Sequence, residues 1–596
     1  MKKSVILVCL SVLLLTSCDD FLTREPYSSI GSEEFFASEN DLVIYANGLI
    51  QNMMPSAEEL TWDYDNYADY LAISSVQPFL LNGWDFTKQT GWSNTDWRNL
   101  YRINYFLKNM DKAAPAISDP SVLKHYQGVA RFWRAWFYYD KVRLFGDVPW
   151  YDEPIDANDT EKLYKPRDSR EYVMDKVLED LNYACTNCSD ASKYLKTSVI
   201  SKYVALALKA RICLYEGTYR KYHTVNPATG KPWSDAGAST RFLNECVSAC
   251  DALMSSNKFA LVSSSSNVQT QYRKLFTEQA VNYTEVIFAH EYQASVSMHD
   301  VTLRFSSAGN NTNRWSPTKE FINTYLCLDG SRFTDKTDYQ KISYIDETKN
   351  RDYRLKQTVI TPGFTKKVGG VVTLTKPNWN VTYTGFQVIK FNIDDNSYET
   401  VGTSYNSIPV FRYAEILLNY AEAKYELGQF DESIWNKTIK PLRERSGVNG
   451  AVPSVADPYL IAYYNNKISD KWLLEIRRER AIELFMEGSL RYDDLMRWKQ
   501  GDLLQKTWSS IYIPEKNVGY DIDGDNTPDI MLVDKALTKP DPNIFYINLS
   551  KATYYTYVDG VLKKKNETVW TDSRYTHPIP QTAIVNNTNL TQNFGW

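Results

Sequence analysis

The sequence predicts a mostly α-helical fold in which helical hairpins of tetratricopeptide type carry a loop-rich lobe with short β-hairpins. Three features support this prediction: long stretches poor in helix breakers, small residues within two of them, and long segments rich in Gly, Asn, Ser, Thr and aromatic residues. The stretches of the first kind are predicted to be helices, and they are 121–144, 169–184, 199–216, 239–256, 411–427, 431–445 and 470–499.

Two of the predicted helices end alike, which suggests a repeated helical hairpin. Residues 203–217 end in Tyr-Glu-Gly, and residues 413–428 end in Tyr-Glu-Leu-Gly. Both contain several alanines, which would let a neighbouring helix approach closely. Because no regular period of about 34 residues is visible, the hairpins are predicted to be degenerate repeats.

The remaining chain is richer in turn-forming and aromatic residues. Segments 52–100, 290–400 and 506–596 have this composition, with a short β-like run at 370–374. Long insertions of this kind on a helical scaffold are where binding surfaces usually lie.

Composition excludes several classes of protein. The chain of 596 residues has a net charge of −5, and 43% of its residues are apolar, which rules out wholesale disorder. The near balance of charge gives no electrostatic footprint for nucleic acid. Beyond the N-terminus no apolar run reaches the roughly 18 residues of a membrane-spanning helix.

The N-terminus indicates export and lipid anchoring. Two lysines precede an apolar stretch at 5–15, which is too short to span a bilayer, and LTSC follows at 15–18. This pattern resembles a bacterial lipoprotein signal, which predicts a signal peptide at 1–17 and fatty acylation, such as palmitate, at Cys18. The alternative is an ordinary secretory signal with a chance cysteine. The following Asp19-Asp20 would mean inner-membrane retention under the enterobacterial rule, or surface export in Bacteroidota.

The other cysteines of the mature chain include two close pairs. Cys185 and Cys188 form one pair, and Cys246 and Cys250 form the other. The spacing superficially suggests a zinc site, but both pairs lie in predicted helices far apart in sequence. Disulfides or buried thiols are therefore the favoured interpretation in an exported protein.

The predicted helix 470–499 carries charges close to its apolar face. Charges near a core persist only when they are paired and hydrogen-bonded. We therefore favour a structural Arg–Glu network over a catalytic carboxylate. The residues concerned are Arg477, Arg480, Glu483 and Glu487.

Several motifs in a fixed order resemble the SusD/RagB family. They are CDDFL at 18–22, RFWRAWFYYDKVRLFGDVP at 131–149, RYAEILLNYAEA at 412–423, IRRERAIELFMEG at 476–488 with RYDDLMRW at 491–498, PIPQ at 578–581 and TQNFGW at 591–596. The Phe and Trp of the last motif are mild departures from the family pattern. The motifs extend from one end of the mature chain to the other.

This resemblance implies a single SusD-like (starch-utilisation-system D-like) domain over 18–596. Its helical scaffold would cover about 30–50, 97–256, 317–328 and 405–500, and its ligand lobe about 52–96, 257–316, 329–404 and 501–596. Members of this family are lipid-anchored at the cell surface on the outer membrane of Bacteroidota. They act with a SusC-like TonB-dependent transporter in nutrient uptake, and they bind oligosaccharides, or in some cases peptides, without cleaving them.

A sugar site is predicted in two aromatic regions, around 62–94 and 292–315. The apolar face of a pyranose suits an aromatic ring, and its hydroxyls need amide and charged partners at the rim. The alternative for any single ring is ordinary core packing, which is our interpretation of Trp97. The candidate glycan-binding residues are Trp62, Tyr64, Tyr67, Trp84, Trp92, Asn94, Tyr292, His299, Arg314 and Trp315.

An acidic loop offers a candidate calcium site. Asp521, Asp523, Asp525 and Asp529 alternate with other residues, and the Thr527 carbonyl could add a further oxygen. The alternative is an acidic turn, in which Asp and Gly are favoured anyway. Any such calcium would be structural, and we predict that no cofactor is required.

No enzyme motif is present. The chain has five histidines and lacks zinc-protease, nucleophile-elbow, Walker A and dinucleotide-binding patterns. This agrees with the resemblance to the SusD/RagB family, which implies a non-catalytic protein that captures oligosaccharide or polysaccharide and delivers it to the transporter. The alternatives are a peptide-capturing member of the same family, with a wide polar groove, and a surface glycoside hydrolase, which would release new reducing ends.

Overall fold

The structure is a computed structural model that describes residues 35–74, 76–307, 313–552, 555–564 and 566–596. The signal peptide and Cys18 lie outside the described residues, as does the side chain of Tyr64. The α-helices of the described part are α1 (Glu39–Met53), α2 (Ala57–Thr61), α3 (Asn94–Asn109), α4 (Pro120–Phe145), α5 (Thr160–Leu163), α6 (Arg170–Asn187), α7 (Lys202–Tyr222), α8 (Ala238–Ser255), α9 (Gln271–Thr277), α10 (Val301–Ser306), α11 (Lys319–Ile322), α12 (Tyr344–Glu347), α13 (Tyr353–Thr358), α14 (Tyr413–Glu426), α15 (Glu432–Lys437), α16 (Ile439–Arg445), α17 (Pro458–Tyr463), α18 (Lys471–Glu483), α19 (Leu490–Arg497) and α20 (Gln581–Asn586).

The strands are short and form small sheets of two or three strands. They are β1 (Leu71–Ala72), β2 (Val286–His290), β3 (Ser316–Pro317), β4 (Thr365–Val368), β5 (Val371–Leu374), β6 (Ile408–Arg412), β7 (Trp508–Tyr512), β8 (Gly519–Tyr520), β9 (Ile530–Val533), β10 (Phe545–Asn548), β11 (Tyr555–Val558) and β12 (Val561–Lys564). Three two-stranded sheets are antiparallel: β1–β3, β2–β6 and β4–β5. In one three-stranded sheet β12 lies between β11 and β7. In the other β9 lies between β8 and β10, and β9 and β10 run parallel. The fold is mostly helical, as predicted.

The long helices pack side by side around one core. Helix α4 packs on α6, α7 packs on both α6 and α8, and α8 also contacts α14. The alanines of α7 are fully buried, and a Cβ at Gly217 would lie 2.8 Å from the Leu243 side chain of α8. The prediction that small residues allow close helix contact is therefore confirmed.

The long predicted helices are present, but two are interrupted. The prediction of one helix over 431–445 is wrong, because the backbone of Thr438 leaves the helical region between α15 and α16. The prediction of one helix over 470–499 is also wrong, because Met486 and Gly488 adopt positive φ angles of 55° and 68°. The resulting turn between α18 and α19 includes Glu487, whose carboxylate accepts hydrogen bonds from Arg412.

The predicted Arg–Glu network is confirmed in the core. Arg412 pairs with Glu285 at 2.7 Å, with Glu483 at 3.0 Å and with Glu487 at 2.7 Å. Arg445 also pairs with Glu285 and Glu483. Although burial raises the pKa of Glu483, these arginines lower it overall. Removing one partner from such a network typically costs about 3–5 kcal/mol, because a buried charge is left uncompensated.

Arg477 is the exception to that prediction. Arg480, one turn further along α18, donates to Asp494 at 2.7 Å. The guanidinium of Arg477 instead lies over the ring of Trp498, with its central carbon 4.0 Å from the ring centroid. Its three nitrogens have no hydrogen-bond partner among the described residues.

The mature-chain cysteines within the described residues are free thiols. Cys185 is half-buried and the other five are buried, and burial raises the pKa of Cys185 to about 12. The interpretation as buried thiols is confirmed. None of these cysteines belongs to a cluster of metal-ligating side chains in the described part of the chain. No helix in that part is both long and apolar enough to cross a membrane.

Candidate functional site

An aromatic groove of about 770 Å³ opens beside the start of α3. One wall is α3, another is the segment 149–164, and the third is α20 with the residues after it. We call it the tyrosine groove, because Tyr101 and Tyr164 present half-exposed rings, at 50% and 46% exposure. Its other lining residues include Trp92, Asn94, Trp97, Arg98, Asn104, Tyr151, Glu153, Asn586, Asn587 and Leu590.

Helix capping positions the first wall. The Ser93 hydroxyl accepts a hydrogen bond from the Asp96 backbone N–H, and the Asp96 carboxylate accepts one from the Ser93 backbone at 2.7 Å. This capping box starts α3 at Asn94. Arg98 and Tyr101 follow at helical spacing, so all three side chains lie along one face. That face brings an amide, a guanidinium and a phenol ring into the groove.

The C-terminal segment holds the opposite wall. The Tyr151 hydroxyl donates to the Lys162 carbonyl at 3.0 Å, which ties the two ends of this segment together. The Asn589 side chain donates to the Tyr164 carbonyl at 2.7 Å. Asn587 likewise donates to the carbonyl of Lys165 at 3.2 Å. The exposed ring of Tyr164 therefore stands on a backbone that is fixed from both sides.

Two indoles line the groove where it meets the core. Trp92 is half-buried and meets Trp97 and Phe145 edge to face, with ring centroids 5.4 and 5.0 Å apart. Trp97, predicted to be a core residue, packs on Phe137 at 5.5 Å but also lines the groove. Asn94, predicted to contact ligand, is exposed beside them.

Charge in the groove is sparse. Glu153 is the one carboxylate among its lining residues, and its oxygen lies 2.5 Å from the Lys162 ammonium, whose hydrogen bond lowers the Glu153 pKa. Amide side chains supply most of the other polar lining. Such a surface can stack on the C–H face of a sugar ring and hydrogen-bond its hydroxyls.

The second predicted aromatic region lies in the core. Trp62 and Trp315 are 5% and 4% exposed, and their rings pack 5.4 Å apart. The Trp315 indole N–H donates to the Asn66 side chain at 2.8 Å. The expectation that these two rings face solvent is therefore corrected, because each is covered by the other and by Phe305.

Tyr292 and His299 are also buried, at 9% and 6% exposure. The His299 ring bonds the Asn406 carbonyl at 2.9 Å, and burial lowers its pKa, so the imidazole is neutral. The Tyr292 ring lies between His290 and His299, at 4.3 and 4.5 Å. Neither side chain stands on an exposed platform.

The other candidates are placed separately. Tyr67 is half-buried against Tyr492, with ring centroids 5.0 Å apart. Trp84 is half-buried against Phe79 and the C-terminal Trp596, outside the tyrosine groove. The Arg314 guanidinium lies 4.9 Å from the centroid of Tyr383 and lines a smaller cavity of about 200 Å³. Glycan contact by these residues stays a prediction.

Tyr101 and Tyr164 were not among the predicted site residues. A signal for Tyr101 was available, because it lies seven residues after Asn94, which is two helical turns. No comparable signal marked Tyr164, since its exposure depends on contacts with residues 587 and 589 at the far end of the chain.

The acidic loop brings together three of its four predicted ligands. Oxygens of Asp521, Asp523 and Asp525 lie within 4.8 Å of one another. Asp529 is buried and forms a salt bridge with the Lys376 ammonium at 2.7 Å, so its charge is already balanced by a lysine. Burial, and then the neighbouring Asp529, raise the Asp523 pKa. Calcium binding stays a prediction for the first three carboxylates.

The fold is a mostly helical scaffold with an aromatic-lined groove at its surface. The chain belongs to the SusD family, whose sequence model matches residues 284–596. A second model, described as "Starch-binding associating with outer membrane", matches residues 20–214. The family prediction from the motifs is therefore confirmed.

Known proteins of this family resemble the chain over most of its length. SusD-like protein P38 of Formosa agariphila is 26% identical over 522 residues, which cover 82% of this chain and 90% of that protein. Two solved structures from Bacteroides fragilis, a SusD-like protein and a SusD-like carbohydrate-binding protein, each have a TM-score of 0.67 and 20% identity. They cover 96% and 94% of this chain, and 100% of their own length. At this identity the structural likeness shows the fold.

Proposed function

We propose that the protein is a cell-surface lipoprotein that captures oligosaccharide or polysaccharide in the tyrosine groove and delivers it to a SusC-like TonB-dependent transporter. The observation that carries this proposal is the pair of half-exposed rings, Tyr101 and Tyr164, with amides around them in one groove. Membership of the SusD family supports the same function. A SusD-like relative of known structure is described as carbohydrate-binding.

Contacts within the groove favour sugar over the two alternatives. A glycosidase normally needs a pair of carboxylates, whereas the groove lining supplies Glu153 alone, held by Lys162. A peptide-binding groove would need backbone partners or ionic anchors along its length. The observed rings and amides instead suit pyranose faces and hydroxyls.

Anchoring at the outer membrane is part of the proposal. Acylation of Cys18, after removal of residues 1–17, would hold the body at the membrane by its acyl chains. Labelling with a palmitate analogue tests this step, and Cys18→Ala is expected to abolish the label and release the protein. Label that persists in Cys18→Ala would contradict this anchor. Co-purification with a TonB-dependent barrel tests delivery.

Affinity electrophoresis of the chain from residue 19 onwards tests capture. A panel of neutral and acidic polysaccharides is cast into native gels, and reducing ends are assayed in parallel. We expect at least one polysaccharide to retard the protein without new reducing ends. Retardation by none of them would contradict polysaccharide capture, and new reducing ends would contradict the binding-only function.

A further inference from the structure

Arg477 is a buried cation that makes no salt bridge or hydrogen bond with an anion among the described residues. Its side chain is 0% exposed, and its Nε, Nη1 and Nη2 atoms have no hydrogen-bond partner in the described part of the chain. On the same helix, Arg478 pairs with Asp457 and Arg480 pairs with Asp494. Burying an unpaired guanidinium costs several kcal/mol, so the exception at Arg477 needs an explanation.

Aromatic stacking accounts for part of that cost. The Arg477 guanidinium lies over Trp498 at 4.0 Å from the ring centroid, with Tyr222 and Tyr464 at 5.5 and 5.8 Å. Cation–π contacts stabilise the charge through the flat face of the group. Its N–H donors point outward in the guanidinium plane, so stacking does not satisfy their hydrogen-bonding capacity.

An acidic residue that interacts electrostatically with Arg477, Glu422, is hydrogen-bonded to other donors. Glu422 accepts hydrogen bonds from Arg497 and, at 2.6 Å, from the Trp498 indole N–H. Although burial raises its pKa, Arg497, with Arg480 and Arg477, holds the pKa of Glu422 at about 2. Glu422 therefore stays ionised, but its three hydrogen bonds come from Arg497 and Trp498 and none comes from Arg477.

Arg477 lines a cavity of about 420 Å³ that also holds two other unsatisfied polar atoms. These are the Gln500 side-chain oxygen and the Trp570 indole N–H. The Trp570 ring forms one wall of the cavity and packs directly on Gly501. A Cβ at Gly501 would lie 2.0 Å from the ring, so a larger residue would displace it. A donor, an acceptor and a guanidinium therefore converge on one aromatic-walled space.

The two acids at this cavity do not neutralise Arg477. Asp502 lies 2.8 Å from the Lys467 ammonium, and Asp572 lies 3.7 Å from that of Lys499. Each acid is thus balanced by its own lysine. The charge left over in the lining is that of Arg477, so the cavity favours an anion.

We propose that this cavity, which we call the Arg477 cavity, binds a hydroxylated carboxylate of about monosaccharide size. A carboxylate matches the paired N–H donors of a guanidinium, which a neutral sugar does not. The Trp570 N–H could donate to an acceptor atom of the ligand, and the Gln500 oxygen could accept from a ligand hydroxyl. The aromatic walls could pack against the C–H face of the ligand. The volume lies within the roughly 300–1,000 Å³ range of small-molecule sites.

This site is independent of the tyrosine groove, because the two share no lining residue. Its ligand could be a free sugar acid or the acidic end of a longer glycan, and both offer the same chemistry. Failure at one site therefore does not predict failure at the other.

Calorimetric titration of the chain from residue 19 onwards tests the proposal with D-glucuronate and D-glucose, which differ at the carboxylate. We expect saturable binding of glucuronate and at least tenfold weaker binding of glucose. An oligosaccharide ending in glucuronate separates the two sources: binding of both ligands assigns the cavity to chain ends, and binding of the monosaccharide alone assigns it to free sugar acids.

Two variants assign the binding to this cavity. Gln500→Glu places a negative charge beside Arg477 and is expected to weaken glucuronate binding at least tenfold. Arg477→Lys, which keeps the charge but loses the fork of donors, is expected to weaken it severalfold. Arg241→Met removes a surface guanidinium paired with Asp175 and serves as the control that keeps full affinity.

Unfolding midpoints measured on the same samples separate lost binding from lost folding. The proposal is overturned if the wild-type protein binds glucuronate no better than glucose. It is also overturned if a folded Gln500→Glu variant binds glucuronate as tightly as the wild type.

Discussion

Two stretches in which glycan-binding residues were predicted, 84–97 and 292–315, have opposite environments in this fold. In the first, Trp92 is half-buried at the edge of a groove and Asn94 is exposed beside it. In the second, Tyr292 and Trp315 are buried. The first stretch leads into the N-terminus of α3, whose capping box keeps polar groups at the surface. Tyr292 follows β2 and Trp315 precedes β3, and each strand is paired, which holds both rings in the core.

The stretch whose backbone leads into a capped helix lies at the protein surface, and the stretch that flanks paired strands lies in the core. Both stretches contain aromatic residues, so the pairing of the flanking strands, and not the presence of aromatic rings, separates the buried stretch from the other.

Replacing Trp315 should damage the fold. Trp315→Ala removes a buried indole that packs on Trp62 and Phe305 and bonds Asn66. We expect the free energy of unfolding to fall by about 3–5 kcal/mol, measured by denaturant titration. A loss below about 1 kcal/mol would show that this ring is not a core residue and would remove the contrast between the two stretches.

Replacing Trp92 should have a smaller effect on folding. Its ring keeps one side toward the groove and has edge-to-face contacts with Trp97 and Phe145. We expect Trp92→Ala to lower the free energy of unfolding by about 1–2 kcal/mol, and to weaken glycan retention in affinity gels. A loss as large as that of Trp315→Ala, with retention intact, would place Trp92 in the core instead.

Much of the scaffold could be predicted from the sequence, because helix periodicity and the family motifs are local signals. The turn at Met486–Gly488 could not, since it depends on Glu487 meeting Arg412 from a distant strand. Nor could the burial of Tyr292 or the exposure of Tyr164 be predicted. Both depend on contacts between segments far apart in the chain, which composition does not encode.

Acid should destabilise both stretches through histidines that stay neutral in the fold. The His577 ring is hydrogen-bonded to Gln89 of the first stretch, and burial lowers its pKa to about 3. Burial also lowers the pKa of His299 in the second stretch. The unfolded chain takes up protons below its histidine pKa of about 6.5, whereas the folded chain does not. Stability is therefore full above that pH and is lost as the pH falls toward the folded-state values.

The expected loss between pH 7 and pH 5.5 is about 1 kcal/mol for a histidine as strongly shifted as His577. His577→Gln should flatten the pH dependence of the free energy of unfolding by that amount, and His299→Gln should flatten it less. Denaturant titrations at both pH values measure the slopes. Equal slopes for the wild type and both variants would contradict the burial of these rings.

The smallest effect is expected at the acidic loop. We propose that Asp521, Asp523 and Asp525 hold Ca²⁺ weakly, because Lys376 occupies the fourth carboxylate, Asp529. Millimolar Ca²⁺ should raise the free energy of unfolding by about 0.5–1 kcal/mol, and chelation should reverse this. Asp523→Asn should abolish the response, with Mg²⁺ as the control ion. An unchanged unfolding midpoint would mean that the loop is an acidic turn.

We propose that the half-exposed tyrosines of the groove bind glycan, and a matched pair of variants tests this proposal. Tyr101 in the groove and Tyr172 on α6 are both helical, at 50% and 46% exposure. Calorimetric titration with the polysaccharide identified in the gels should show about tenfold weaker binding for Tyr101→Ala, with an unchanged unfolding midpoint, and full affinity for Tyr172→Ala. Equal affinity for the wild type and both variants would contradict the assignment of glycan capture to this groove.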